Sequence, residues 1–218
     1  CGDTLTIEGG EIKQTTGVKA TGRTGDCGYG IRGNAVLTIK GGKIEQTTGG
    51  DATGESGTGG SGIGSNGTLT IAGGEIQQTT GGEATGKSGT GGSGIRGGSS
   101  NKIVEISGGT ITKAKGGEGK ASGGSGIHSN GTLTIRGGEI QQTSGGDATG
   151  KGGTGGSGIR SGGSVKIWGG TITKATGGSG KSGGDGIGSY GNLAISHSAK
   201  IGTAQGGAST NGTGGDGI

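Results

Sequence analysis

Aliphatic residues recur along this chain in four columns, most often at intervals of 32 residues. Gly-Ile pairs place Ile at positions 31, 63, 95, 127, 159, 187 and 218. Elsewhere in each repeat, Leu69 and Ile71 stand two residues apart, with Thr68 and Thr70 on the opposite parity. This alternation predicts a β-strand with inward aliphatic and outward polar side chains. A fixed period of this length predicts a solenoid, in which each repeat forms one coil.

The other three aliphatic columns keep the same order in every repeat. They are Leu5, Leu37, Leu69, Val104, Leu133, Val165 and Leu193; Ile7, Ile39, Ile71, Ile106, Ile135, Ile167 and Ile195; and Ile12, Ile44, Ile76, Ile111, Ile140, Ile172 and Ile201. The repeat spans the whole sequence, which predicts a single domain, residues 1–218. Its coils are expected near residues 1–31, 32–63, 64–95, 96–127, 128–159, 160–187 and 188–218.

Gly occupies every third position in another stretch of each repeat, as at Gly54, Gly57 and Gly60. Three residues per turn is the polyproline II period, and Gly at this density excludes a helix interior. We therefore predict an all-β fold, a parallel β-solenoid of about seven 32-residue coils. Each coil is expected to have a kinked β layer and a Gly-triplet layer that resembles polyproline II.

Charged residues support stacking of the coils in register. One repeat apart, Glu8 lies over Lys40, Glu11 over Lys43, and Lys13 over Glu45, so that three positions reverse sign together. Neighbouring parallel strands are about 4.8 Å apart, a distance at which opposite charges attract. The charges thus predict the same alignment as the aliphatic columns.

The composition excludes several classes of protein. The chain has 69 Gly in 218 residues, no Pro, and 22% hydrophobic residues. Collagen needs abundant Pro, a conventional globular core needs about twice this apolar share, and a membrane span needs about 20 successive apolar residues. Stability is therefore expected to come from contacts repeated between coils.

Residues that could carry chemistry are few. The two His residues, His128 and His197, fall at different positions of the repeat, and no His-x-x-x-His, Cys-x-x-Cys or nucleophile-elbow motif is present. We predict a protein that is not an enzyme, with no catalytic, cofactor-binding or metal-binding residues and no cofactor. A basic stripe along one corner consists of Arg32, Gly64, Arg96, His128 and Arg160. It either binds an anion or is a solvated edge. The net charge is +4, but aromatic residues are too scarce to favour nucleic-acid binding.

The two cysteines, Cys1 and Cys27, are predicted to form a disulfide. In the repeat register they lie on either side of the same corner, where a bond would close the first coil. A disulfide implies an oxidising, extracellular setting, whereas two free buried thiols would imply nothing about location. The Cys-Gly start also resembles a processed bacterial lipoprotein, whose first Cys carries lipid.

Two parts of the repeat resemble known families. The pattern GI-x-S-N-G-T-L-T-I-x-G-G-x-I, at Gly62–Ile76 and Gly126–Ile140, resembles Gly-rich parallel β-helix repeats of bacterial surface proteins, some of them described as carbohydrate-binding. The triplets from Gly54 to Gly60 resemble the Gly-rich polyproline II bundles of springtail antifreeze proteins. These resemblances imply a secreted or surface-located solenoid.

Three functions are consistent with these patterns. The first is an extracellular structural solenoid that assembles end to end, since the sequence ends at Ile218 on a repeat boundary without a polar cap. The second is ice binding by a flat face of Thr residues: Thr53, Thr85 and Thr149, or Thr4, Thr38, Thr70 and Thr134. The third is polysaccharide binding, for which the available aromatic residues are Tyr29, Tyr190 and Trp168.

Overall fold

The computed structural model describes residues 3–25, 27–99 and 101–218. Within these residues every regular element is a β-strand, and all strand pairs are parallel. Successive strands of one sheet are about 32 residues apart, so the chain winds through about six turns. The predicted all-β parallel solenoid is confirmed. No helix capable of crossing a membrane occurs in the described residues.

The strands form three sheets, two of seven strands and one of six, and successive coils contribute neighbouring strands. Sheet A contains Thr4–Ile7, Val36–Ile39, Thr68–Ile71, Ile103–Ile106, Thr132–Ile135, Val165–Ile167 and Leu193–Ile195. Sheet B contains Glu11–Thr16, Lys43–Thr48, Glu75–Thr80, Thr110–Lys115, Glu139–Ser144, Thr171–Thr176 and Lys200–Gln205. Sheet C contains Ile31–Gly33, Ile63–Ser65, Ile95–Gly97, Ile127–Ser129, Ile159–Ser161 and Ile187–Ser189.

The aliphatic columns meet inside these three sheets. Leu37 pairs with Leu69 in sheet A, Ile44 with Ile76 in sheet B, and Ile63 with Ile95 in sheet C. These side chains belong to one continuous core and are fully buried in the inner coils. Each aliphatic side chain is therefore covered by the same residue type from the coils before and after it.

Each strand of sheet B contains two successive residues that point outward. In Glu75–Thr80, Ile76 and Thr79 point inward and the two residues between them, Gln77 and Gln78, point outward. The pairing with the preceding coil accordingly skips Gln77. The corner that leads into this strand needs Gly74, whose φ of 82° lies in the left-handed region that disfavours side chains.

The Gly-rich segment folds back on itself, a feature that the period alone does not show. In residues 81–94 the chain runs out along a first arm, turns at Gly86 to Gly89, and returns along a second arm. The Gly89 N–H donates to the Gly86 carbonyl at 2.8 Å, and the Gly92 N–H donates to the Gly82 carbonyl at 2.8 Å. We call this segment the Gly-rich loop; it recurs at 49–62, 116–126, 145–158 and 177–186.

Hydrogen bonds between the two arms form an unbroken zigzag along the solenoid. The Gly60 carbonyl accepts from Gly82 of the next coil, Gly82 accepts from Gly92, and Gly92 accepts from Gly117 of the coil after that, each at 2.8 Å. The arms lie so close that a Cβ on Gly92 would overlap the Gly60 carbonyl oxygen. Gly is therefore required here because two backbones pack directly against each other.

Charged side chains follow the predicted stacking in part. Lys40 Nζ lies 3.1 Å from Glu8 Oε1, and Lys43 Nζ lies 3.6 Å from Glu11 Oε1, as expected. Lys43 also binds Glu45 of its own strand at 2.7 Å, and this hydrogen bond is the largest cause of the lowered pKa of Glu45. Lys13 adds only a weaker electrostatic contribution to that pKa.

Candidate functional site

The predicted Thr column on sheet A was wrong at its first residue, Thr4. Thr38 pairs with Thr70, as predicted, but Thr4 pairs with Val36, and Thr6 is the residue that pairs with Thr38. The reason is that Leu5 stacks on Leu37, which places Thr4 one outward position before Thr6 on the strand. Thr4 therefore does not belong to the same column as Thr38.

The same column is interrupted by charge and burial. Glu105 lies between Thr70 and Thr134, and Lys166 follows Thr134. Thr134 itself is only 6% exposed. This face is therefore not a continuous array of exposed Thr side chains.

The other predicted Thr set lies on the first arm of the Gly-rich loop. Thr53, Thr85 and Thr149 are all exposed. The backbone N–H of Thr85 donates to the Ala52 carbonyl, and that of Thr149 donates to the Gly119 carbonyl, which places Lys120 in the same column between them. These Thr residues share one face, but a cation interrupts it.

Cys27 packs inside the Gly-rich loop rather than on the surface. It is 6% exposed and contacts Ala52 and Ala84 in a small apolar cluster separate from the main core. Its predicted partner, Cys1, lies outside the described residues, so the disulfide stays a prediction.

A groove runs along the solenoid where the second arm of the Gly-rich loop meets sheet C. It consists of two cavities of about 470 and 290 Å³, which share Thr58 and Arg96 in their walls. The predicted basic stripe forms one wall, and the strand register confirms it as a column: Arg32, Gly64, Arg96, His128, Arg160 and Gly188. Sequence and structure thus agree on which residues form this stripe.

Ser and Thr side chains line much of the opposite wall, together with Gly backbone. The outer column on the second arm is Thr58, Thr90, Ser122, Thr154 and Ser182. The floor includes Ser93 and Ser125, which belong to a column of buried Ser residues with Ser61 and Ser157. These residues recur every third position, as in Thr90, Ser93 and Arg96, because an extended chain with a three-residue period turns every third side chain to the same face.

Aromatic rings stack on two of the three Arg side chains. The Arg32 guanidinium lies 5.0 Å from the centre of the Tyr29 ring, and the Arg160 guanidinium lies 4.6 Å from that of Tyr190. Tyr29 occupies the position that Ser61 holds in the next coil, and its ring leaves no space for a side chain at Gly64. The rings hold these guanidinium groups by cation–π contact.

The third aromatic residue, Trp168, lies beyond sheet A and away from the groove. Its ring centre is 4.5 Å from the Arg136 guanidinium and 5.5 Å from the Lys166 ammonium. Trp168, Tyr29 and Tyr190 therefore do not form one aromatic platform for a sugar.

Acidic residues close the groove beyond Arg160. Asp185 and Asp216 take the position that Ser157 holds in the preceding coil. The Asp185 carboxylate accepts a hydrogen bond from the Asp216 N–H at 3.1 Å. The positive part of the groove therefore ends before these residues.

His128 sits in the stripe between two cations. Its Nε2 is 2.8 Å from Asn130 Oδ1, and Asn130 donates to the Gly98 carbonyl at 2.6 Å. The pKa of His128 is lowered to about 4, mainly by burial and to a smaller extent by the positive charges of Arg96 and Arg160, while the hydrogen bond to Asn130 opposes the shift. His128 is therefore neutral in the folded protein at pH 7.

This shift predicts a loss of stability in acid. The unfolded chain protonates His128 near pH 6.5, whereas the folded protein does so near pH 4, so protons favour unfolding between these values. The free energy of unfolding should fall by about 3 kcal/mol as the pH drops from 7 to 4, beyond the contribution of other groups. Urea unfolding at a series of pH values measures this fall.

His128→Gln should remove this part of the pH dependence, because Gln has no proton to bind in this range. His197→Gln is the control, since His197 is exposed and outside the groove. Equal pH profiles for the parent and His128→Gln would contradict the predicted role of His128.

No known protein family, curated protein or solved structure matches this chain. Within the described residues, no three His, Cys, Asp or Glu side chains come together in a way that could hold a metal ion. The function is therefore inferred from the geometry and chemistry of the solenoid itself.

Proposed function

We propose that the protein is a non-enzymatic structural solenoid of the extracellular space or cell surface. The observation that supports this most directly is the continuous zigzag of hydrogen bonds between the arms of the Gly-rich loops, from Gly28 to Gly215. It runs beside three sheets that keep their register in every coil. The extracellular setting rests on the predicted disulfide between Cys1 and Cys27.

A structure of this kind resists both bending and pulling. Every inner coil is hydrogen-bonded to the coils before and after it in all three sheets and in the Gly-rich loop. A force along the axis loads all bonds at one coil boundary together, because these bonds lie nearly parallel to the axis. The solenoid is therefore suited to act as a stiff spacer or scaffold.

End-to-end assembly is part of this proposal. At the edges of sheet A, Thr4–Ile7 pairs only with Val36–Ile39, and Leu193–Ile195 pairs only with Val165–Ile167, within the described residues. The aliphatic columns are less covered there, and Ile195 is exposed. A second copy offers strands of the same pattern to such an edge.

Electron microscopy and sedimentation at increasing concentration test this assembly. We expect rods that lengthen by whole multiples of one molecule, and a charged extension after Ile218 should stop the lengthening. A single monomeric species at all concentrations would contradict end-to-end assembly.

Ice binding is the second candidate, favoured by the common exposure of Thr53, Thr85 and Thr149 on one face. The triple variant Thr53→Lys, Thr85→Lys and Thr149→Lys separates the two functions. It should leave rod formation intact, because these residues lie on a side and not at an end. If the parent inhibits ice recrystallisation and the triple variant does not, ice binding replaces the structural proposal.

A further inference from the structure

The groove beside sheet C has the shape of a site for a linear ligand. Its two cavities follow each other along the solenoid axis and share Thr58 and Arg96. A compact molecule would fill one cavity and leave the other empty. An extended chain parallel to the axis contacts both.

The positive charges in the groove recur at every second coil. Arg32, Arg96 and Arg160 alternate with Gly64 and with His128, which is neutral at pH 7. With strands about 4.8 Å apart, successive Arg residues are about 10 Å apart along the axis. No acidic side chain of the described residues forms an ion pair with these three Arg residues. Arg160 Nη2 donates to the Tyr190 hydroxyl, but a guanidinium has further N–H donors, so all three groups can bind a carboxylate through the donors that remain.

The groove floor supplies a second, independent observation. Ser93 and Ser125 line the cavity and are only 8% and 5% exposed. Their hydroxyls line the cavity, where each offers a ligand one hydrogen-bond donor and an acceptor oxygen.

Sugar hydroxyls match this second requirement. A hydroxyl both donates and accepts a hydrogen bond, as Ser and Thr side chains do. Each pyranose of an extended chain advances the chain by about the spacing between neighbouring coils, so each sugar meets the Ser and Thr hydroxyls of one coil. An acidic group on every second sugar then meets each Arg.

We propose that this groove binds an extended acidic polysaccharide that carries a carboxylate on every second sugar. The chain lies parallel to the solenoid axis from Arg32 to Arg160, and the acidic Asp185 marks its end. Nucleic acid fits less well because base stacking needs free aromatic faces, and Tyr29 and Tyr190 are stacked on Arg32 and Arg160. The proposal is independent of the structural role, since a spacer without a ligand would lack this site.

Hyaluronan oligosaccharides are a suitable probe, because glucuronate alternates in them with a neutral sugar. We expect the parent protein to bind them at low salt, as measured by calorimetry. The double variant Arg96→Gln and Arg160→Gln should bind at least about ten-fold more weakly, because it loses two charge-assisted contacts. Gly64 and Gly188 already stand in this column, so the fold tolerates the loss of an Arg there.

A matched control removes the same charge elsewhere. The control is Lys113→Gln with Lys174→Gln, because both residues lie in one column of sheet B, on either side of Gln142. This double variant should bind the probe as the parent does. Equal weakening in the control and in the Arg variant would show nonspecific charge attraction and overturn the proposal.

The Ser residues distinguish a sugar from a simple polyanion. Ser93→Ala with Ser125→Ala should weaken binding of hyaluronan several-fold and leave binding of inorganic polyphosphate unchanged. Polyphosphate or single-stranded DNA binding as tightly as hyaluronan, with no effect of the Ser changes, would overturn the proposal.

Discussion

Gly92→Ala is expected to lower the free energy of unfolding by at least about 3 kcal/mol. The new Cβ would overlap the Gly60 carbonyl oxygen and lie 2.7 Å from the Gly59 oxygen, both of them backbone atoms. The arms would have to separate, which breaks the hydrogen bonds of Gly92 to Gly82 and Gly117. The melting temperature, measured by circular dichroism, should fall by about 6–12 °C.

Gly152→Ala is the matched control, because a Cβ there would have no heavy atom within 4 Å. Neither Gly92 nor Gly152 has a positive φ, so the two substitutions differ in space and not in backbone strain. We expect Gly152→Ala to be neutral or slightly stabilising, since Ala restricts the unfolded chain. Two variants that melt at the same temperature would show that the arms do not pack backbone against backbone.

Ile127→Ala should have an effect of similar size in the aliphatic core. Ile127 is 0% exposed and stacks between Ile95 and Ile159 in sheet C. Removing its outer carbons leaves a cavity that the neighbouring coils cannot fill without losing their register. The expected loss is about 3 kcal/mol, measured by chemical unfolding.

The control for this prediction is Ile103→Ala in sheet A. Ile103 is 46% exposed because it points outward from its strand, and its loss should cost less than about 1 kcal/mol. A small effect at Ile127 would mean that the aliphatic columns contribute little and that the backbone ladder alone supports the fold.

The pairing between coils follows from the sequence. Leu69, Ile71, Ile76 and Ile95 have counterparts in the neighbouring repeats, most often 32 residues away, and a parallel stack has only one register that buries all of them together. The same interval places Arg96 over Gly64 and beside His128, so the basic stripe is also predictable. The prediction that Thr4 stacks on Thr38 was wrong because Thr4 and Thr6 both face outward on the same strand. Only the pairing of Leu5 with Leu37 shows that Thr6 is the residue beside Thr38.

The shape of a single coil was decided only by the tertiary structure. A period states which residues stack on one another, but it contains no information on the angles between the faces of one coil. The Gly triplets would permit close approach to any backbone. In the structure Gly92 lies against Gly82 of the same Gly-rich loop and Gly60 of the loop in the preceding coil. That fold-back sets the second arm against sheet C, which buries Ser93 and Ser125 and forms the groove below Arg96. The sequence therefore determined which residues stack in columns along the solenoid axis. The packing of backbone against backbone decided which of these columns lie opposite each other within a coil.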